Sequence, residues 1–180
     1  GQEAVRVYGK ALHNLGAVLE DAGENDAGGK GRFQDWTKSK NNINICTGCK
    51  NDCLYCYMKP INARNPNKLK QPADWHNWQI RQKDVEKSYG LKDRLVGFPS
   101  SHDIFPEIRD AYLEVLGKVL RAGNDVLIVS KPSLECIEAI CDASIYFKDK
   151  ILFRFTIGAM DDKILSYWEP NAPSYAERKE

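Results

Sequence analysis

No apolar run in the sequence approaches the roughly 20 residues that a membrane-spanning helix requires. Its first residues, GQEAVRVYGK, lack the basic-then-apolar layout of a secretory signal. These two absences point away from spanning and exported proteins, and the expectation is a cytoplasmic chain with no membrane partner. An excess of charge of one sign is also missing: 26 Lys and Arg stand against 25 Asp and Glu, a formal net charge of +1. So even a balance gives no whole-molecule field to attract a polyanion. There is no internal repeat and no low-complexity tract. What is present is a chain of 180 residues, 42% hydrophobic and 28% charged, enough for one domain with a substantial core.

Cysteine is the exception to this ordinary composition. Four of six cysteines fall within residues 46–56, CTGCKNDCLYC. Clustered thiols in a chain without an export signal favour metal binding or catalysis over disulfides.

Hydrophobic spacing sketches the elements. Val5, Leu12, Leu15, Val18 and Leu19 predict a first helix, and ENDAGGKGRF after it reads as a Gly-rich flexible loop. Together these make residues 1–40 an N-terminal segment apart from a core of residues 41–180. NINIC (42–46) reads as a strand. KPINARNPNKLKQPADW (59–75), with Pro60, Pro66 and Pro72, reads as irregular loop. From residue 94 the pattern alternates. RLVGF, DVLIV (125–129) and ILFRFTIG (151–158) read as strands. Residues 108–123 read as a helix stopped by Gly123, residues 133–147 as a helix with Ser133 as N-cap, and DDKILSYW (161–168) as a short helix or turn. Strands and helices alternating at these lengths imply parallel strands joined by helical crossovers.

Cys49, Cys53 and Cys56 obey Cys-x3-Cys-x2-Cys. Thiolates at these offsets on a tight loop can bind three irons of one 4Fe–4S cluster and leave the fourth open to a substrate or cofactor, whereas electron-transfer clusters usually take four cysteines. A structural zinc site is the rival. It usually separates two cysteine pairs by a dozen or more residues, against three here. Four unrelated buried thiols are the bland alternative. Cys46 is either a fourth ligand or a small buried residue at a strand end. Cys136 and Cys141 read as core thiols.

CKNDCLYC, with an aromatic before its last cysteine, resembles the signature of radical S-adenosylmethionine enzymes. The wider pattern, NINICTGCKNDCLYCY and EPNAPSYAER (169–178), is similar to the spore photoproduct lyase-like, or DNA repair photolyase-like, branch over residues 41–180. The resemblance implies a 4Fe–4S cluster on Cys49, Cys53 and Cys56, with S-adenosylmethionine chelated at the open iron. One electron, from an external donor such as flavodoxin or ferredoxin, would split the sulfonium and give a 5′-deoxyadenosyl radical that abstracts hydrogen from the substrate. The implied fold is an α/β partial (βα)6 barrel with its site at the carboxyl ends of the strands. This chain would supply the first four βα units. It would then be a fragment of a longer barrel or be completed by another chain.

At those strand ends the resemblance implies Lys131 and Thr156 as contacts to the methionine part of the cofactor. Ser100, Ser101, His102 and Asp103 stand where relatives contact cofactor and substrate, and Tyr55 stands on the adenine side. Each has a plainer reading: Lys131 as a solvated loop lysine, Asp103 as a cap of the following turn, Thr156 as an ordinary strand residue. Trp75-His76-Asn77-Trp78 is either a stacking surface or a hydrophobic anchor under a loop. Thymine-dimer repair enzymes of this branch carry a cysteine hydrogen donor near the end of the second strand. FPSSHDI has serines there, so that reaction is not implied. Lys59, Arg64, Lys68, Lys70, Arg81 and Lys83 make the stretch after the cysteines basic, which is either a nucleic-acid surface or a solvated loop.

Overall fold

The computed structural model describes residues 41–64, 72–93 and 95–180. The expected helix over 5–19, the Gly-rich loop after it, Lys68 and Lys70 lie outside the described residues.

Three strands form a parallel sheet: β3 (Val96–Gly97), β4 (Val126–Ser130) and β5 (Ile151–Phe155), in that spatial order. The central strand β4 reads VLIVS and is buried at Val126, Leu127, Ile128 and Ser130. A strand covered on both faces needs such a continuous apolar run rather than an alternating one. The crossover from β3 to β4 carries α3 (Arg109–Arg121), and that from β4 to β5 carries α4 (Leu134–Ala143). α3 presents Tyr112, Val115, Leu116, Val119 and Leu120 to the core, and α4 presents Cys136, Ile140 and Cys141. Each fully buried aliphatic side chain contributes roughly 1.5–3 kcal/mol, so these two faces outweigh anything local propensity adds. Tyr112 is tolerated there because its hydroxyl donates to the Phe98 carbonyl at 2.7 Å while its ring stacks on Phe98 at 4.2 Å. α3 ends as its sequence predicts, with Gly123 at φ +91°.

The expected strand NINIC is divided between two partners. Its start bridges β3 in parallel, with Ile43 N–H donating to the Gly97 carbonyl at 2.9 Å. Its end enters β1 (Cys46–Thr47), which pairs antiparallel with β2 (Gln79–Ile80). Arg81 holds the end of the segment. Its guanidinium donates to the Asn44 carbonyl and its N–H to the Ile45 carbonyl, at 2.7 Å for the second, while β3 runs on into Pro99, which has no N–H to continue the parallel pairing.

Two further expectations are corrected. The stretch read as irregular loop holds α1 (Met58–Ala63), with Pro60 early enough in the helix to need no N–H partner, and a 3-10 turn over Pro72–His76. The helix expected over 133–147 stops at Ala143; Ser144 (φ −114°, ψ 18°) breaks it and a 3-10 segment, Ile145–Lys150, follows. Ser133 does occupy the N-cap, but its hydroxyl makes no capping bond. α2 (Gln82–Glu86) follows β2, and α5 (Asp162–Trp168) and α6 (Tyr175–Lys179) follow β5. The architecture is α/β with two small sheets, and the described strands do not close into a barrel. No helix among the described residues is long and apolar enough to cross a membrane.

Candidate functional site

The carboxyl ends of β3 and β4 and the cysteine loop after β1 converge on one cavity of about 220 Å³. Its wall includes Cys49, Cys53 and Cys56, together with Ser100, Ser101 and Asp103 after β3 and Lys131 after β4. Clefts outside the carboxyl ends of parallel strands are where α/β sheets bind ligands.

The loop is held in place from two sides. Cys49 N–H donates to the Trp75 carbonyl at 2.8 Å, and Leu54 N–H to the Trp168 carbonyl at 2.9 Å. Gly48 turns with φ +84°, and a Cβ there would stand 2.6 Å from the Trp75 carbonyl oxygen and 2.9 Å from Trp78 Cα. Trp75 is buried, and Trp78 packs edge-on against Phe105 at 5.1 Å. The anchor reading of this tryptophan pair therefore describes their packing.

Cys46 does not reach the cavity. It packs with Phe105 and Ile108 in a small apolar cluster, and its thiol bonds the neighbouring Thr47 carbonyl at 3.5 Å. Burial pushes its pKa up to about 11. Cys136 and Cys141 are core thiols, as their spacing suggests.

The three cavity thiols sit in unlike surroundings. Cys49 is pushed up to about 12, first by burial and then by the Asp103 carboxylate, although Asp103 N–H donates to its sulfur at 3.4 Å. Cys53 is raised by burial, and Lys131 beside it pulls the other way. Cys56 is only half-buried. The thiols line one space rather than meeting at a point: among the described residues no three His, Cys, Asp or Glu side chains stand close enough together to hold a metal ion.

Asp103 ties the strand ends together. Its Oδ1 accepts from Lys131 N–H at 2.9 Å and from the Ser130 hydroxyl at 3.2 Å. Its Oδ2 accepts from Asn51 at 2.9 Å and from the Lys131 ammonium at 3.3 Å. It does not cap the 3-10 turn that follows, whose N-cap is Phe105. Lys131 is no solvated loop residue: it is 8% exposed, with Glu169 4.0 Å away and the Tyr55 ring 5.7 Å away. Burial disfavours its charge, but Asp103, Cys53, Tyr55 and Glu169 outweigh that and raise its pKa.

Asn44 organises the serines. Its side-chain carbonyl accepts from Ser100 N–H and Ser101 N–H, both at 2.8 Å, and its amide donates to the Ser100 hydroxyl at 2.9 Å. His102 is a buried cross-link. Nε2 accepts from Ile45 N–H at 3.2 Å, so Nδ1 carries the proton and donates to the Asp103 carbonyl at 2.9 Å. Burial lowers its pKa to about 4, which leaves it neutral and unsuited to acid–base work with Asp103. Thr156 does not line the cavity. Its N–H donates to the Ser130 carbonyl at 3.0 Å, which continues the β4–β5 pairing.

Glu169 and Arg178 are the first and last residues of EPNAPSYAER. They form a buried pair, with Glu169 Oε2 at 2.6 Å from an Arg178 nitrogen. The Tyr55 hydroxyl donates to Glu169 Oε1. The motif thus fastens the segment after β5 to the cysteine loop. A second cavity of about 300 Å³ lies beyond Tyr55, walled by Gly158, Ala159, Ile164, Leu165, Trp168 and Glu169. Of the basic stretch, Lys59 is paired with Asp52 at 2.7 Å and Arg81 with Asp84 at 2.6 Å.

Comparison with known proteins adds one similarity. ORF301 of Acidianus two-tailed virus, described as an uncharacterized protein, is 25% identical over 169 residues, which cover 87% of this chain and 53% of the viral protein. No family model and no solved structure matches the chain. The chain spans about half the length of the curated relative it matches.

Proposed function

We propose that the chain is the cluster-binding part of a radical S-adenosylmethionine enzyme, with Cys49, Cys53 and Cys56 as ligands to a 4Fe–4S cluster. The observation that carries this reading is selective: of the four cysteines in CTGCKNDCLYC, the three in the signature line one cavity and Cys46 is packed elsewhere. That division favours a three-thiolate site over a four-cysteine module. The chemistry of the donor set fits the group. The three thiols line one cavity, Asp103 N–H donates to one sulfur, and the Lys131 ammonium stands beside another. When bound and reduced, such a cluster supplies the electron that splits S-adenosylmethionine to methionine and a hydrogen-abstracting 5′-deoxyadenosyl radical.

The chain's own residues then bind and orient. Lys131, buried and cationic, is suited to the methionine carboxylate. Asp103 holds Lys131 at the strand end, and the Asn44-fixed turn presents Ser100 and Ser101 to the same space. Tyr55 borders both cavities, which suits it to the adenine side. Thr156 can act only through a rotated side chain or a moved backbone, since it stands off the cavity wall. In this proposal the parallel β3–β4–β5 sheet, with residues 42–43 beside it, is one side of a partial (βα)6 barrel, the protein is cytoplasmic, and an external reductant such as flavodoxin or ferredoxin serves it.

The test is metal uptake. Anaerobically reconstituted protein should hold about four irons per chain. Cys49→Ala, Cys53→Ala and Cys56→Ala should each lose most of that iron and the broad visible absorption of the cluster. Cys46→Ala should keep both. Loss of iron on Cys46→Ala would instead favour a four-cysteine module.

A further inference from the structure

The cysteine loop contains a bend that its own residue resists. Asp52, just before Cys53, has φ +46°, and among the described residues it is the one non-glycine with a positive φ. L-residues avoid this left-handed region; aspartate enters it more readily than most, but still at a cost. The bend lies between two of the cavity thiols. Asp52 N–H donates back to the Cys49 carbonyl at 3.3 Å, and Cys49 and Cys53 line the same cavity.

Lys59 grips Asp52 at two points. Its ammonium stands 2.7 Å from Asp52 Oδ1 and donates to the Asp52 backbone carbonyl at 3.1 Å. The backbone of Lys59 is tied to the other half of the loop: its N–H donates to the Cys56 carbonyl at 3.2 Å, and Cys56 N–H donates to the Cys53 carbonyl at 3.1 Å. One residue therefore joins the turn between the first two thiols to the turn between the second and third. Its side chain is 15% exposed, so it is neither a solvated lysine nor a free cation of the basic stretch. His76, whose Nδ1 lies 4.0 Å from Asp52 Oδ2, is exposed and reaches only the carboxylate.

We propose that Lys59 is a positioning residue for the cluster. It holds Asp52 in the left-handed turn and offsets the Asp52 charge beside three cysteines that bind metal as thiolates. This rests on the cluster reading above. Lys59 does not line the cavity and is not a ligand. Without its ammonium, the bend and the carboxylate are both unopposed. Glycine at position 52 removes both difficulties at once, having neither a Cβ to strain nor a charge.

The experiment uses the full chain, reconstituted anaerobically with iron and sulfide, and follows the rate at which a ferrous chelator strips the iron. Lys59→Met keeps the stem and removes the ammonium; it should lose iron about tenfold faster than the unaltered protein, the lower end of what supporting residues contribute at metal sites. Asp52→Gly/Lys59→Met should recover most of that loss, a rescue that general loosening of the fold would not give. Equal stripping rates in Lys59→Met and the unaltered protein would overturn the proposal, as would a double variant that releases iron as fast as Lys59→Met. If Lys59→Met does not fold, the double variant decides: it should fold and retain iron, and its failure to do so overturns the proposal. Absence of iron from the unaltered protein would overturn the cluster reading and this proposal with it, a failure distinct from the others.

Discussion

Glu169 and Arg178 form an ion pair at 2.6 Å, and both are nearly inaccessible to water. The pair closes the EPNAPSYAER segment on itself, and Glu169 extends one oxygen to the Tyr55 hydroxyl. Breaking a buried pair leaves one charge uncompensated, at a cost of about 3–5 kcal/mol. Glu169→Gln and Arg178→Leu should each lower the unfolding free energy by roughly that amount, read by chemical denaturation. The double variant Glu169→Leu/Arg178→Leu should cost less than the sum of the single changes, because neither charge is then stranded. Additive losses would contradict the coupling.

The close approach at Gly48 predicts a second effect. Alanine there meets backbone on two sides and adopts a φ of +84°, which L-residues avoid. Backbone strain of this kind costs on the order of 1–3 kcal/mol. Gly48→Ala should lower the melting temperature and weaken iron loading together, since the displaced segment carries Cys49. Thermal denaturation and iron analysis of the same preparation check both; full loading at an unchanged melting temperature would contradict the clamp.

Lys131 predicts a binding effect separable from cluster assembly. Lys131→Met should leave the iron count intact and weaken S-adenosylmethionine binding by about 10–100-fold, the loss of one charge-assisted hydrogen bond of roughly 1.5–3 kcal/mol. Equilibrium dialysis on loaded protein measures it, with circular dichroism confirming the fold. Unchanged affinity would remove Lys131 from the site.

His102 predicts a pH effect on stability. Its folded pKa is about 4, below its ordinary 6.5, because burial disfavours the cation. The unfolded chain therefore binds the extra proton between those values. The contribution of His102 is complete above pH 6.5 and is lost as pH falls toward 4. Between pH 7.5 and pH 5 the loss should be about 2 kcal/mol, to order of magnitude. Denaturation of the metal-free protein at the two pH values reads it, and His102→Gln should flatten the difference. An equal slope in both proteins would contradict the buried neutral imidazole.

Much of the frame was legible because apolar spacing encodes it. VLIVS, the face of α3 and the Gly123 stop follow local rules, and the structure realises them within a residue or two. NINIC was only half legible. Its pattern marks a strand, but its end is held by β2 and Arg81, far away in sequence. The helix at Met58–Ala63 was hidden because Pro60 and its polar neighbours look like a loop unless the proline's place in the first turn is known. In the site, the spacing of the thiols singled out Cys49, Cys53 and Cys56 from Cys46. Trp75 was marked as part of the tryptophan cluster, and Asn44, Asn51, Glu169 and Arg178 fall within the motifs NINICTGCKNDCLYCY and EPNAPSYAER. No role was legible for these four or for Ser130, because each acts through contacts that no spacing rule foretells.

The most direct measurement is product formation. Anaerobic, iron-loaded protein is mixed with dithionite and S-adenosylmethionine, and 5′-deoxyadenosine is followed by liquid chromatography against Cys53→Ala treated in parallel. The account predicts 5′-deoxyadenosine from the unaltered chain and none from the variant. A fully loaded cluster that yields no 5′-deoxyadenosine, or equal yields from the two proteins, would contradict it.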